Sequence, residues 1–596
     1  MTDTQGRMPD TAPTIPAMLY GQVERYGSET VLRRKDRGIW KSTSWSQLGV
    51  VVRRAAMALK ATGFRAGDAA CILADTSPAW VTTDLGILCA GGISAGIYTT
   101  DTLEQIKFVI NDSRCRIVFV GNEEQLDKVL EVRGQCPLLS RIVIFDMTGL
   151  RDFSDPMAES LESFLTRGET HDASHPREWD EGLAALRPDD GAVLTYTSGM
   201  SAAPKGVLLS HRNVLFQVGK AAALLDQRAG DERVAFLPMP HFIERILGLY
   251  QSLYTRTISN YVESADALRE NLQEVMPTVL CAPPRIWERS YSRVTVAIAD
   301  ATWIQRKLYD WAMRAASAKG GPLRRAVAAL GSFLILRKVR RNVGLDRVRV
   351  GCIGGAPVSP DLLRWYAALG IDLIEFYGIS ECAGVAAVNF SGRRAPRERF
   401  ALVGEVELSP AGEIMVRGEH VFEGYWRAGA EPRRALNDGW YVTGDEAKMV
   451  DGALRVSGRV EDTITTKSGR TVTPSELEIE LKFSPYIADA LIVGNQRDFL
   501  GCIVMIDHEN VEKWAQGKKI AFTGFSNLTR TDAVRDLIDA EIKRANAKLS
   551  DPIRSFRLIE RKLEPEDPEL TPMLKLRRGF VSEKYRSLIE AMYCET

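Results

Sequence analysis

Residues 194–207 read Leu-Thr-Tyr-Thr-Ser-Gly-Met-Ser-Ala-Ala-Pro-Lys-Gly-Val, small residues, hydroxyls and one lysine between two apolar runs. Small side chains let consecutive backbone N–H groups converge on one anion. Thr197, Ser198 and Ser201 add hydroxyl donors, Gly199 leaves room for close approach, and Lys205 adds a mobile positive charge. The ligand such a loop suits is a polyphosphate. It is not the common nucleotide loop, in which Gly-Lys-Ser/Thr opens a helix, because Lys205 runs into Gly206 and the strand-like Val207-Leu208-Leu209. Taken alone, the stretch also reads as a polar hairpin turn.

Other segments downstream carry groups that could serve the same ligand. His241 follows Leu237-Pro238-Met239-Pro240, at the carboxyl end of a strand-like run where ligands of α/β sheets bind. A histidine satisfied inside a core is the commoner case. Gly354-Gly355-Ala356-Pro357 follows the strand-like 347–353; its glycines let a flat base lie against backbone, and taken alone it is only a turn. Tyr377-Gly378-Ile379-Ser380-Glu381 ends another strand with an aromatic, a hydroxyl and a carboxylate able to hold a hard cation. Tyr441-Val442-Thr443-Gly444-Asp445 puts a short acid on a turn, able to accept paired hydroxyls, although a plain β-turn aspartate reads the same. Arg459, the glycine turn Lys467-Ser468-Gly469-Arg470 and the tail Leu570-Thr571-Pro572-Met573-Leu574-Lys575 complete the series.

In this order the segments resemble the AMP-forming acyl-CoA synthetase family, whose signature loop is usually Tyr-Thr-Ser-Gly-Thr-Thr-Gly-x-Pro-Lys-Gly. Met200 stands where threonine is usual and Ala202 where glycine is usual. The resemblance spans about residues 20–585 and implies roles residue by residue. Thr197, Ser198, Gly199, Ser201 and Lys205 would hold the phosphates. Gly355, Ala356, Pro357, Tyr377, Gly378 and Ser380 would hold adenine and phosphate, and Asp445 and Arg459 the ribose. Thr197 and Glu381 would carry Mg2+. His241 would line the acyl site, Gly469 the approach of the CoA thiol, and Lys575 would be the catalytic lysine. Glu461 would be the hinge pivot.

The implied reaction activates a fatty acid with ATP to an acyl-adenylate and transfers the acyl group to CoA. Pro283-Pro284-Arg285-Ile286-Trp287-Glu288 and a helical insertion over about 291–344 are similar to the long-chain branch. Two alternatives stay open. One is another acceptor, such as a carrier-protein thiol or an amine. The other is a non-catalytic adenylate-binding protein with a decayed phosphate loop, suggested by Met200 and Ala202.

The positioning elements read as an α/β protein. Residues 46–62 form an amphipathic helix with Leu48, Val51, Val52, Ala55 and Leu59 on one face. Residues 69–73, 117–120 and 142–145 are buried strands, and alternation of this kind means sheets layered by helices. The chain divides into a large 1–458 domain and a small 459–596 α/β domain bearing the hinge and the lysine. Residues 151–190 are polar and acidic and read as a surface connection. His171 and His175 are four apart, but Pro176 and the small polar residues between them suggest a loop without metal spacing. In the insertion, Ile304, Leu308, Trp311 and Ala315 make one apolar stripe. The cluster Arg337, Lys338, Arg340 and Arg341 is a candidate for peripheral contact with phospholipid headgroups, although cations favoured at a helix C-terminus are the preferred explanation.

At 596 residues the chain exceeds one core. Lys+Arg and Asp+Glu are equal at 77 each, so no global field favours nucleic acid. Nine cysteines without Cys-x-x-Cys read as reduced thiols in a cytoplasmic protein with no zinc site. The polar, proline-containing start is no signal peptide, and no apolar run reaches the ~20 residues that span a bilayer.

Overall fold

The computed structural model describes residues 12–197, 204–264, 266–317, 329–390, 400–426, 436–450, 452–571 and 573–594. Its largest sheet has seven strands, ordered Ala158–Ser160, Arg141–Ile144, Ile117–Val120, Ala69–Leu73, Ile93–Ile97, Gly191–Thr197 and Lys205–Ser210. All neighbours are parallel except the last pair, Gly191–Thr197 with Lys205–Ser210, which is antiparallel. Strands such as Ala69–Leu73 and Ile93–Ile97 are buried along their whole length, as a parallel strand covered on both faces requires. The helix Trp45–Ala61 is among the covers. A Ser44–Gln47 capping box starts it, and Leu48, Val52, Ala55 and Leu59 lie in the core.

A second sheet runs Val279–Ala282, Val350–Gly354, Leu373–Ile379, Gly384–Phe390 and Phe400–Leu402, with its first three strands parallel. Their carboxyl ends carry Gly355 and Glu381. A third, of four strands, contains Glu232–Ala235 and leads towards His241. A fourth, entirely antiparallel, includes Glu413–Arg417, Trp440–Val450 and Ala453–Arg459. Beyond it, Ile487–Val493, Leu500–Ile506 and Ile553–Leu558 form a small mixed sheet. It packs its own apolar cluster with the helices Pro474–Lys482 and Asp532–Asn546.

Two expectations are corrected, and the structure fixes the side on which the insertion's apolar stripe lies. Residues 151–190 are not a bare connection: they hold the strand Ala158–Ser160 and the helices Leu161–Ser174 and Glu178–Ala185, anchored by buried Phe164 and Trp179. Their polar composition reflects one-sided burial, not lack of structure. His171 therefore lies in a helix and His175 caps it. The stripe of the helix Trp303–Ser317 faces outward: Ile304, Leu308 and Trp311 are exposed, while Ala312 and Ala316 are buried.

Candidate active site

Thr197 and Lys205 face each other across the closing strand pair. Ser198, Gly199, Met200, Ser201 and Ala202 lie outside the described residues. The Lys205 ammonium stands 5.2 Å from the centre of the Tyr425 ring. That tyrosine is fixed from below, because Trp426 N–H donates to the Gly206 carbonyl at 2.7 Å and Tyr425 bridges Val207. Its hydroxyl donates to Glu381 Oε1 at 2.9 Å and lies 3.1 Å from the Tyr441 hydroxyl. Tyr425 thus joins Lys205, the candidate phosphate lysine, to the candidate cation ligand. Sequence reasoning missed it, because Gly424-Tyr425-Trp426 carries no local mark of which groups it will meet.

Glu381 sits in the short turn Ser380–Cys382, directly after the strand Leu373–Ile379. The strand can end this tightly because Gly378 has no side chain: a Cβ there would lie 2.1 Å from the Gly384 carbonyl oxygen. Phe422 N–H donates to the Glu381 backbone carbonyl, which fixes the turn. Glu381 is 9% exposed as a residue, and with Oε1 taken by Tyr425, Oε2 has no hydrogen-bond partner among the described residues. One near-buried carboxylate with a free oxygen fits Mg2+, which is commonly held by one or two carboxylates plus substrate phosphates.

The ribose candidates meet. Tyr377 hydroxyl donates to Asp445 Oδ2 at 2.7 Å, and Arg459 Nε lies 3.0 Å from Asp445 Oδ1. Burial pushes the Asp445 carboxyl above its ordinary range while Arg459 opposes the rise. The tyrosine expected to stack on a base is therefore also the group that orients this carboxylate.

Gly355 adopts a left-handed φ of +79°, which glycine takes without strain. Ala356 and Pro357 follow it towards the helix Pro360–Leu369. The Gly355 carbonyl accepts a hydrogen bond of 2.7 Å from Lys575 Nζ, 220 residues away. Lys575 is carried by a tight turn. Its N–H donates to Thr571 Oγ1 at 3.1 Å, and its carbonyl accepts from Thr571 N–H at 2.8 Å. Asp489 Oδ2 accepts from Leu576 N–H at 2.9 Å, and the Arg285 guanidinium donates to the Leu574 carbonyl. Burial, then the like charge of Lys482, pull the Lys575 ammonium down to about 8.

His241 opens the turn before a π-helix, Ile243–Tyr250. Its Nδ1 accepts from Ile243 N–H at 3.2 Å, so the neutral ring carries its proton on Nε2. Burial and the nearby Lys575 charge hold its pKa down at about 3, which keeps the ring neutral. Glu244 and Arg245 are structural: they pair with Arg233 and Asp84 respectively, all buried.

Gly469 is not brought to this cluster. It adopts φ +80° in a turn braced by small-domain groups, with Lys467 N–H on the Arg497 carbonyl at 3.0 Å and Arg470 Nε 2.7 Å from Asp551 Oδ1.

The family model for AMP-binding enzymes matches residues 19–426, and the model for their C-terminal domain matches residues 461–596. A Mycobacterium bovis protein named long-chain-fatty-acid–CoA ligase FadD15 is 30% identical over 595 residues, covering 97% of each chain. A human protein named long-chain-fatty-acid–CoA ligase ACSBG1 is 28% identical over 98% of this chain and 86% of its own. Among solved structures, the adenylation–carrier didomain of the Segniliparus rugosus carboxylic acid reductase with AMP superimposes with a TM-score of 0.74. It is 20% identical and covers 98% of this chain and 83% of its own. The anthranilate CoA ligase AuaEII with anthranoyl-AMP gives 0.72 at 18% identity, covering 97% of this chain and 99% of its own.

Proposed function

The chain belongs to the AMP-binding enzyme family, and from that premise we propose that it is a fatty-acid–CoA ligase working through an acyl-adenylate. A fatty carboxylate oxygen attacks the α-phosphorus of ATP, and the bond to pyrophosphate breaks. The CoA sulfur, having lost its proton, then attacks the acyl carbon, and the bond to AMP breaks. The observation that carries the reading is Lys575 Nζ reaching the Gly355 carbonyl beside the expected adenine platform. A cation held there offsets the charge that builds where carboxylate meets phosphate. The Nε2–H of neutral His241 is a donor suited to the carboxylate. Lys205 is assigned to the outer phosphates and Asp445 with Arg459 to the ribose. Mg2+ held by Glu381, with Thr197 as the second candidate ligand, would withdraw charge from the phosphate oxygens. The domain boundary is placed at 458/459, at the last residue of the strand Ala453–Arg459.

The test is ATP–pyrophosphate exchange dependent on palmitate and Mg2+, followed by CoA consumption. Both are expected. Exchange without CoA consumption would point to another acceptor, and no exchange with any acid would overturn the reading.

Lys575 must be protonated to act, and its ordinary charge range is shortened from above. The cation is complete well below pH 8 and lost as pH rises through about 8. The kcat/KM for ATP in the exchange reaction is therefore expected to fall through that range, reporting the free enzyme. Lys482→Met removes a like charge and should move the limb to higher pH. An unmoved limb would assign it to another group.

The helical insertion supports a second expectation, peripheral contact with an anionic membrane. No described helix is long and apolar enough to cross a bilayer. Trp303 and Phe333 are each 63% exposed, with Ile304, Leu308 and Leu334 beside them in sequence. Lys307 lies over the Trp303 ring at 5.2 Å and Arg337 over the Phe333 ring at 5.8 Å. Exposed aromatics rimmed by cations fit a headgroup layer. Cosedimentation with phosphatidylglycerol vesicles is expected, and Trp303→Ser with Phe333→Ser should weaken it by about tenfold or more. Equal binding by the double variant would refute the assignment.

A further inference from the structure

We propose that His171, His175 and Glu178 form a site for one divalent transition metal ion, Zn2+ by donor type, at the corner between the helices Leu161–Ser174 and Glu178–Ala185. The three side chains each offer one ligand atom, and these atoms lie within 4.8 Å of one another. Helical geometry explains the meeting. His171 and His175 are one turn apart at the end of the first helix, where i and i+4 side chains share a face. Their rings stack with centroids 4.1 Å apart and planes 22° from parallel, so each must turn about its χ2 to aim a lone pair at a shared ion. Glu178 begins the second helix, and its Oε2 stands 2.7 Å from His171 Nε2.

The hydrogen bond of His175 suits ligation, and an ion would replace the one between His171 Nε2 and Glu178 Oε2. His175 Nδ1 lies 3.1 Å from the His171 carbonyl, to which its N–H donates. That leaves His175 Nε2 as the unprotonated nitrogen, and a backbone carbonyl on Nδ1–H is the usual support for a metal-bound imidazole. The neighbouring Asp172 is not an additional ligand, because Arg53 holds both its oxygens at 2.7 and 2.9 Å. Two imidazoles and one carboxylate, with room for water, suit Zn2+ and disfavour Mg2+ and Ca2+, which prefer oxygen. The site lies at the surface: His171 and Glu178 side chains are 20% and 37% exposed, and His175 is exposed. An ion there would pin two helices that precede the strand feeding the phosphate loop.

The test uses the full chain stripped with EDTA and titrated with ZnCl2 by calorimetry. Other thiols and histidines can add weak binding, so the readout is the difference between wild type and variants. Wild type is expected to bind one more equivalent than His175→Asn, and His171→Asn and Glu178→Gln should each weaken that equivalent by at least about tenfold. Millimolar MgCl2 should not displace it. Co2+ bound to wild type should give the intense visible bands of a low-coordinate site, absent in His175→Asn. Retained palmitate-dependent exchange in the variants would show that they fold and separate this site from the catalytic one. Identical Zn2+ titrations and Co2+ spectra in wild type and both histidine variants, or no Zn2+ binding by wild type, would overturn the proposal.

Discussion

Lys575→Ala is expected to lower palmitate-dependent ATP–pyrophosphate exchange by about 10²–10³ or more while leaving transfer from supplied palmitoyl-AMP to CoA near the wild-type rate. The asymmetry follows from what the lysine touches. Among the described residues its ammonium reaches the Gly355 carbonyl, in an arrangement that presents it to the expected adenylation site. The Gly469 turn, assigned to the thiol approach, is braced elsewhere. The geometry therefore fits the first half-reaction, and the second requires the small domain to rotate, as lids and domains do in many enzymes. The lysine turn keeps its own supports, Thr571, Asp489 and Arg285, when the side chain is cut back. Single-turnover rates of the two steps check this. Equal loss in both would mean that the lysine acts on folding or on domain closure rather than on charge.

Glu381→Gln should lower the same exchange by about 10²–10³ and move its Mg2+ dependence to higher concentration. The amide keeps an oxygen for the Tyr425 hydroxyl and fits the same space, so packing is preserved while the charge is removed. A near-buried carboxylate with one open oxygen earns this role only if a cation uses it. An unchanged Mg2+ dependence would show that the cation is held elsewhere.

Much of the site was legible because its parts are local. The paired strands around Lys205, the glycine turn at Gly355 and the turn bearing Glu381 each follow from contiguous residues and short-range sterics. Only Gly378 fits against the Gly384 carbonyl, and that constraint is written in the residue itself. The amphipathic helix at Trp45–Ala61 was legible for the same reason, since one buried face gives a periodic pattern. Where burial is one-sided but the composition is polar, the pattern fades. Residues 151–190 read as a surface connection, yet 161–174 fold as a helix, and the four-residue spacing of His171 and His175 becomes one helical turn. The stripe of Trp303–Ser317 has the periodicity of a core-facing helix, yet the small alanines take the inner face and the large residues face outward.

The sequence by itself determined the chemical inventory and its order: a small-residue loop with Lys205, the carboxylates Glu381 and Asp445, the glycines that admit a flat base, and a terminal lysine. Only the tertiary structure decided that Tyr425 couples Lys205 to Glu381, that Tyr377 orients Asp445, and that Lys575 crosses 220 residues to reach Gly355. Local motifs are fixed by sterics between near neighbours in the chain. Encounters between distant segments are fixed by which apolar faces must be buried together, and no single segment carries that information.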